Sequence, residues 1–240
     1  MIYNQYEFDI RLEWGYQGVQ ELAPISDVII IVDILSYSTC VDIATSNGAI
    51  IYPYRWKDET AISYAKSMGA ELADLKRIST GGFSLSPTSL LDIKSQTKLV
   101  LPSPNGATLS LLTGETPTLC GGLRNAEAVA KTAIGFGTKI SIIPAGEQWA
   151  DNSLRPSFED LIGAGAIISY LTGVLSPESK TALYAYLATK NNLLDEVRKC
   201  SSGKELIERD FEKDIDLACE FNISNNTPIL INKGYQAKQS

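Results

Sequence analysis

The chain has 240 residues, 44% hydrophobic and 20% charged, an ordinary globular composition with material for one large domain or two small, closely packed ones. Its 28 Asp and Glu against 21 Lys and Arg give a net charge of −7, which argues against a binder of nucleic-acid backbone but not against a small anion held by a few local cations. Histidine is absent, which excludes a Ser-His-Asp triad, a Cys-His pair, a phosphohistidine and His-ligated metal, and leaves acid-base work to Asp, Glu, Lys, Tyr, Cys or metal-bound water.

No apolar stretch approaches the length of a membrane span. The first residues, MIYNQYEFDIRLEWGYQG, carry charges and no apolar run, unlike a signal peptide. Cys40, Cys120, Cys200 and Cys219 are far apart and form no CxxC pair, so reduced thiols in a cytoplasm are expected rather than a zinc or redox site.

A strand is expected around Phe8 to Leu12, then a glycine-containing loop, with Arg11, Glu13 and Trp14 read as a surface salt pair and its aromatic anchor. Val28 to Val32 is an apolar β-branched run that suits a strand covered on both faces. It ends at Asp33. Ser36, Ser38 and Thr39 follow, any of which could cap a helix over Val41 to Asn47. Ligands of open α/β sheets bind at the carboxyl ends of strands. Asp33 there either holds a hard cation, acts as a base, or merely bonds the turn below it.

Ala49 to Tyr54 reads as a second central strand and Lys57 to Met68 as a helix closed by Gly69. Glu71 to Leu91 reads as a long loop with a short strand at its start. Thr97 to Leu101 is a further strand, running into ProSerProAsnGlyAlaThr and a helix from Leu109. Thr118 to Cys120 is a brief strand before a helix over Asn125 to Thr132. Lys139 to Ile143 is another, followed by a loop from Gln148 to Pro156 and a helix over Leu161 to Leu171. The remainder is mostly helical, over Ser176 to Leu187, Asn191 to Arg198 and Ser202 to Glu208, the last opening on a Ser202/Glu205 capping box. A short strand at Thr227 to Ile231 and a frayed polar tail, Gly234 to Ser240, end the chain. Alternating strands and helices predict a three-layer α/β/α fold with a parallel or mixed sheet, one domain over residues 1–240 without an internal linker.

Three strand ends carry polar turns, and parallel neighbours would share one rim. The second turn, Ser103 to Thr108, offers Asn105, Gly106 and Thr108 before a helix, where backbone amides either suit an oxyanion or belong to a plain turn. The third holds Glu147, Asp151, Arg155, Glu159 and Asp160. Arg155 either clamps an anion or pairs with Glu159, and Ser157 with Asp160 is spaced as a capping box. Ser202, Gly203 and Lys204 form another anion candidate, without full P-loop spacing. Arg124 is too close to Cys120 for a cysteine-phosphatase cradle. Asp33 sits where an aspartyl-phosphatase nucleophile would, but Leu35 stands where the second aspartate would be.

In order along the chain, VDILSYSTC, LeuProSerProAsnGlyAla, GlyGlyLeuArgAsnAlaGluAlaValAla, IleProAlaGlyGlu, SerPheGluAspLeuIleGlyAlaGlyAlaIle and CysSerSerGlyLysGluLeu resemble the 2-phosphosulfolactate phosphatase (ComB-like) family over nearly the whole chain. The resemblance implies a three-layer α/β/α fold and a Mg²⁺-dependent phosphatase converting 2-phosphosulfolactate to sulfolactate and phosphate, on the route towards coenzyme M. It departs from the family where an arginine usually follows the first-motif aspartate; Ser36 and Tyr37 stand there. The usual GERGG and GFDLGNSP stretch is replaced by AlaAspLeuLysArg and GlyPheSerLeuSerPro, with Arg11, Arg77, Arg124 or Arg155 available to compensate.

The expected reaction is hydrolysis of a small phosphate monoester carrying a second anionic group. Asp33 with Glu159 or Asp160 would bind Mg²⁺, and Asp33, Arg155 and Asp160 would form the catalytic set. Ser103, Asn105, Gly106, Arg124, Ser202 and Gly203 would bind substrate. The expected partner is a phosphorylated carboxylate or sulfonate, not nucleic acid or membrane, with a homodimer left open. The alternative from another class is a non-catalytic protein that holds an anionic metabolite on the same rim.

Overall fold

The computed structural model describes residues 4–238. In chain order the elements are β1 (Ile10–Leu12), α1 (Gly15–Leu22), β2 (Val28–Val32), α2 (Tyr37–Ser46), β3 (Ile50–Tyr54), α3 (Thr60–Met68), β4 (Glu71–Leu72), β5 (Lys98–Pro102), α4 (Gly106–Ser110), β6 (Thr118–Gly121) and α5 (Ala126–Ile134). They continue with β7 (Ile140–Pro144), β8 (Glu147–Gln148), β9 (Leu154–Arg155), α6 (Phe158–Ile168), α7 (Pro177–Thr189), α8 (Leu193–Lys199), α9 (Ser201–Glu208), α10 (Glu212–Ala218), β10 (Pro228–Ile231) and β11 (Gly234–Ala237).

Nine strands form one mixed, mostly parallel sheet in the order β1-β7-β2-β6-β10-β11-β3-β5-β4. The α/β class expected from the alternation of elements is the one observed. β2 lies between β7 and β6, parallel to both, and all five of its side chains are buried. Val28, Ile30 and Val32 join the cluster that includes residues of α5, α6 and α7. Ile29 and Ile31 pack on the opposite face with residues of α1 and α4. A strand covered on both faces needs an unbroken apolar run, and each such side chain contributes on the order of 1.5–3 kcal/mol by burial.

The sheet has two parallel halves, β1-β7-β2-β6 and β3-β5-β4, joined by the antiparallel hairpin β10–β11. The tail expected to fray is therefore a central strand as far as Ala237; residues 239–240 lie outside the described residues. Asn232 and Lys233 both adopt positive φ (50° and 68°), as a two-residue hairpin turn of type I′ requires. Tyr235 is fully buried and its hydroxyl meets Ser110 Oγ at 2.8 Å.

The loop expected after β1 is helix α1. It buries Gly15, Gly18, Val19 and Leu22, a helical face whose two glycines lower its intrinsic propensity. Arg11 is not on the surface. Its guanidinium is fully buried and donates to the carbonyls of Phe8, Ile25 and Tyr6. The loop after β7 contains the small hairpin β8–β9, which pairs Glu147 with Arg155.

Helices α6 and α7 cross closely at Gly165, where a Cβ would overlap the Ala182 carbonyl. Gly165→Ala is expected to destabilise the protein by about 1–3 kcal/mol, a drop in Tm of roughly 3–10 °C by thermal melting. An unchanged Tm would mean that the two helices part at no cost.

Candidate active site

β2 ends in Asp33, which is buried together with the turn that follows it. Its Oδ2 accepts the Gly106 amide at 2.8 Å, which ties the end of β2 to the start of α4 beyond β5. Only glycine permits this approach: a Cβ on Gly106 would strike the Tyr37 ring and the Asp33 carboxylate. Burial raises the Asp33 pKa to about 6 despite the Gly106 and Tyr37 amides.

A cleft of about 150 Å³ opens here, lined by Asp33, Ser36, Lys57, Arg77, Ser103, Asn105, Glu147, Ser202 and Arg209 among others. Three of these are cations. Lys57 follows the end of β3, because α3 begins only at Thr60, where the Asp58 carboxylate accepts the Thr60 amide. Burial, then the neighbouring Arg77, lowers the Lys57 pKa. Arg77 comes from the long segment after β4 and donates to Ser36 Oγ at 3.0 Å and Asp214 Oδ2 at 2.8 Å. Asp214 on α10 is itself buried and also accepts from the Ser86 and Thr88 hydroxyls at 2.8 Å. Arg209 lies at the end of α9 and pairs with Glu205.

Glu147, at the start of β8, faces these cations. Asn105 Nδ2 donates to its Oε2 at 2.9 Å, and burial, then Asp33, raises its pKa to about 7. Two carboxylates of raised pKa beside three cations, at the carboxyl ends of parallel strands, form a setting for anion binding and proton transfer near neutrality.

A family model described as 2-phosphosulpholactate phosphatase matches residues 17–233. The chain belongs to the 2-phosphosulpholactate phosphatase family. It is 24% identical over 228 residues to a protein of Thermotoga petrophila named "Probable 2-phosphosulfolactate phosphatase", covering 91% of this chain and 97% of that one. A Thermotoga maritima protein of the same name is 25% identical over the same shares.

In this member of the phosphosulpholactate phosphatase family the structure gathers some of the residues singled out from the sequence and separates others. Asp33, Ser103, Asn105 and Ser202 line the cleft, and the Gly106 amide is spent on Asp33. Arg124 is elsewhere, bound to Asp42, Glu220 and the Leu217 carbonyl. Arg155 lines an adjoining recess with Glu159 and reaches Ser202 Oγ at 3.2 Å. The Ser202/Glu205 capping box is not formed. Cys200 is the N-cap of α9, and its Sγ accepts the Gly203 amide at 3.3 Å, so Gly203 has no free amide for a ligand.

Glu159 Oε2 accepts the Cys200 thiol. Asp160 Oδ1 accepts the Ile34 amide at 2.9 Å, while Oδ2 accepts the Gly146 amide at 2.9 Å and the Ser157 hydroxyl at 2.8 Å. The supposed cap at Ser157 is thus a donor to Asp160, not an acceptor for the helix. Burial, then Asp33 and Glu159, pushes the Asp160 pKa well up.

Lys57, Arg77, Glu147 and Arg209 complete the cleft: Glu147 belongs to the third polar turn and Arg77 is one of the arginines available to compensate, whereas Lys57 and Arg209 carry no expectation of a site role from the sequence. Lys57 was within reach of the strand-end rule, since TyrArgTrpLys closes β3 as Asp33 closes β2. Arg209 leaves no local signal.

The folded Glu147 pKa of about 7 exceeds its ordinary 4.5, so the folded state holds the extra proton between those values and loses stability as pH rises through that window. Glu147→Gln removes this dependence. In metal-free protein its stability relative to wild type is expected to rise by roughly 1–3 kcal/mol between pH 4.5 and 8, read by urea unfolding. A gap independent of pH would show that Glu147 titrates normally.

Proposed function

We propose that the chain is a Mg²⁺-assisted phosphatase acting on small phosphate monoesters with a second anionic group, 2-phosphosulfolactate among them. The observation that carries this reading is the convergence of Lys57, Arg77 and Arg209 with Asp33 and Glu147 in one cleft at the strand ends. Family membership supports it from an independent side.

Among the described residues no group of three or more Cys, Asp or Glu side chains is arranged to enclose a metal ion. Mg²⁺ needs no such cage, because it keeps waters and binds through one or two carboxylates and the substrate phosphate. Asp33 fits that role. It lines the cleft, and it spends one oxygen on the Gly106 amide while the other has only a 3.4 Å contact with the Tyr37 amide. When bound there, Mg²⁺ would neutralise phosphoryl charge and acidify a water. Glu159 and Asp160, engaged by Cys200 and by backbone amides, act as supports for this rim on the proposed reading.

Arg77, Lys57 and Arg209 draw in the phosphoryl group and stabilise charge on its oxygens as the bond to the alcohol breaks. Ser36 accepts from Arg77, so a guanidinium reaches the turn after β2 from another part of the chain. Asn105 orients Glu147. Glu147 takes the proton of the attacking water as its oxygen bonds to phosphorus, and passes that proton to the departing alkoxide. The products are an alcohol and inorganic phosphate. Arg155 steadies Ser202 from the neighbouring recess.

Phosphate release from 2-phosphosulfolactate and 2-phospholactate with Mg²⁺ tests the reading. EDTA should abolish it, Asp33→Ala should lower kcat/KM by at least about 100-fold, and Glu147→Gln should lower kcat by on the order of 100-fold. No release from folded protein on a panel of phosphate esters would sink the phosphatase and leave an anion-binding protein. Full activity in Asp33→Ala would discard the site.

A further inference from the structure

Beside the cleft lies a second, larger cavity of about 530 Å³. The two border each other along Pro104, Asn105 and Glu147, with the Asn105–Glu147 hydrogen bond on the boundary. Its other walls differ in character from those of the cleft. Trp56, Tyr16 and Leu154 line it while 53%, 45% and 41% exposed, so three large apolar side chains are left open to water around one hollow. Grouped exposure of this kind has a cost that a ligand would offset. Arg55 also lines it, with its guanidinium 5.2 Å from the centre of the Trp56 ring. Among the described residues Arg55 makes no ion pair, while Lys57, two positions on, lines the phosphoryl cleft. One short segment after β3 therefore places a cation in each cavity and an aromatic face in the larger one.

We infer that this vestibule is the subsite for the organic part of the substrate, and that the chain takes phosphate esters of alcohols carrying a flat apolar group with an anionic substituent. The phosphoryl group enters the 150 Å³ cleft. The organic part passes over Asn105, its flat portion lies against Trp56 and Tyr16, and its anion meets Arg55. A desolvated aromatic contact and a cation on the same ring are each worth enough to change affinity several-fold. A three-carbon ester such as 2-phosphosulfolactate occupies the cleft alone and leaves this hollow empty, so it is accepted but gains nothing from the vestibule. The inference rests on the reading of the cleft as the phosphoryl site, and it sets the size and character of the leaving alcohol.

The test uses phosphonates, whose P–C bond is not hydrolysed, so binding is read apart from turnover. Methylphosphonate, benzylphosphonate and 4-carboxybenzylphosphonate are titrated calorimetrically into the full chain with Mg²⁺, in wild type, Trp56→Ala and Arg55→Gln. Benzylphosphonate should bind at least about 10-fold more tightly than methylphosphonate, and the carboxyl group should add about 3-fold or more. Trp56→Ala should remove the first gain and Arg55→Gln the second, with methylphosphonate affinity held within about twofold in both. Equal affinities for the three ligands, no detectable binding of any, or an aryl gain that survives Trp56→Ala would overturn the inference. Tighter aryl binding without phosphate release from any ester would sink the phosphatase and leave the vestibule; phosphate release with equal affinities would do the reverse.

Discussion

The rim of this sheet is held by two buried carboxylates that accept backbone amides from loops far away in sequence. Asp33 binds Gly106, and Asp160 binds both Ile34 and Gly146. These contacts fix the loops after β2, β5 and β7 relative to one another. A hydrogen bond to a charged group contributes about 1.5–3 kcal/mol, and removing a buried acceptor strands its donor as well. Burial works the other way and raises both pKa values. The rim is thus organised by groups that burial makes easier to keep protonated, and the donated amides, with Arg77 beside Asp33, offset part of that tension.

The sheet topology explains why such stitching is needed. β2 and β5 belong to different parallel halves, and within the sheet only the β10–β11 hairpin connects them. Each outer edge of that hairpin pairs with its neighbour at a single position, Ile229 with Leu119 and Tyr235 with Ile51. The loops at the carboxyl ends close over this seam through Asp33 and Gly106. A crevice where the halves of an α/β sheet meet is the usual place for a ligand, and here the cationic side chains come from elements outside the sheet. Arg77 is delivered by the segment after β4 and braced by Asp214 on α10, while Arg209 comes from α9.

What was legible in the sequence follows from how local each signal is. β2 could be read because an unbroken apolar run buried on both faces has few alternatives, and Asp33 stood out as the polar residue that ends it. Family motifs pointed to the same turns. β11 was not legible, because GlyTyrGlnAla has no periodicity and is a strand only through the partners on either side. α1 was hidden by its glycines. The two capping boxes were spaced correctly, but neither Ser157 nor Ser202 caps its helix with its side chain. Ser157 serves Asp160, and the sulfur of Cys200 caps α9. The cations of the cleft were the hardest to read, since their meeting depends on α9, α10 and the segment around Arg77 folding back over the sheet.

That dependence bears on how the cleft is charged although Ser36 and Tyr37, and no arginine, stand in the turn after Asp33. A guanidinium on the turn after β2 would be set by that turn alone. Arg77 is instead oriented by Ser36 and Asp214, both of which accept from its Nη1, with the Phe211 ring 5.5 Å from its guanidinium carbon. Asp214 is in turn satisfied by Ser86 and Thr88 from the segment that follows Arg77. A chain with net charge −7 still brings Lys57, Arg77 and Arg209 into one cleft, and the low dielectric around the largely buried Arg77 strengthens the field of its guanidinium. The same bracing makes the long segment between β4 and β5 part of the site's architecture, since its fold over the rim and the position of the Arg77 charge are set by one buried carboxylate.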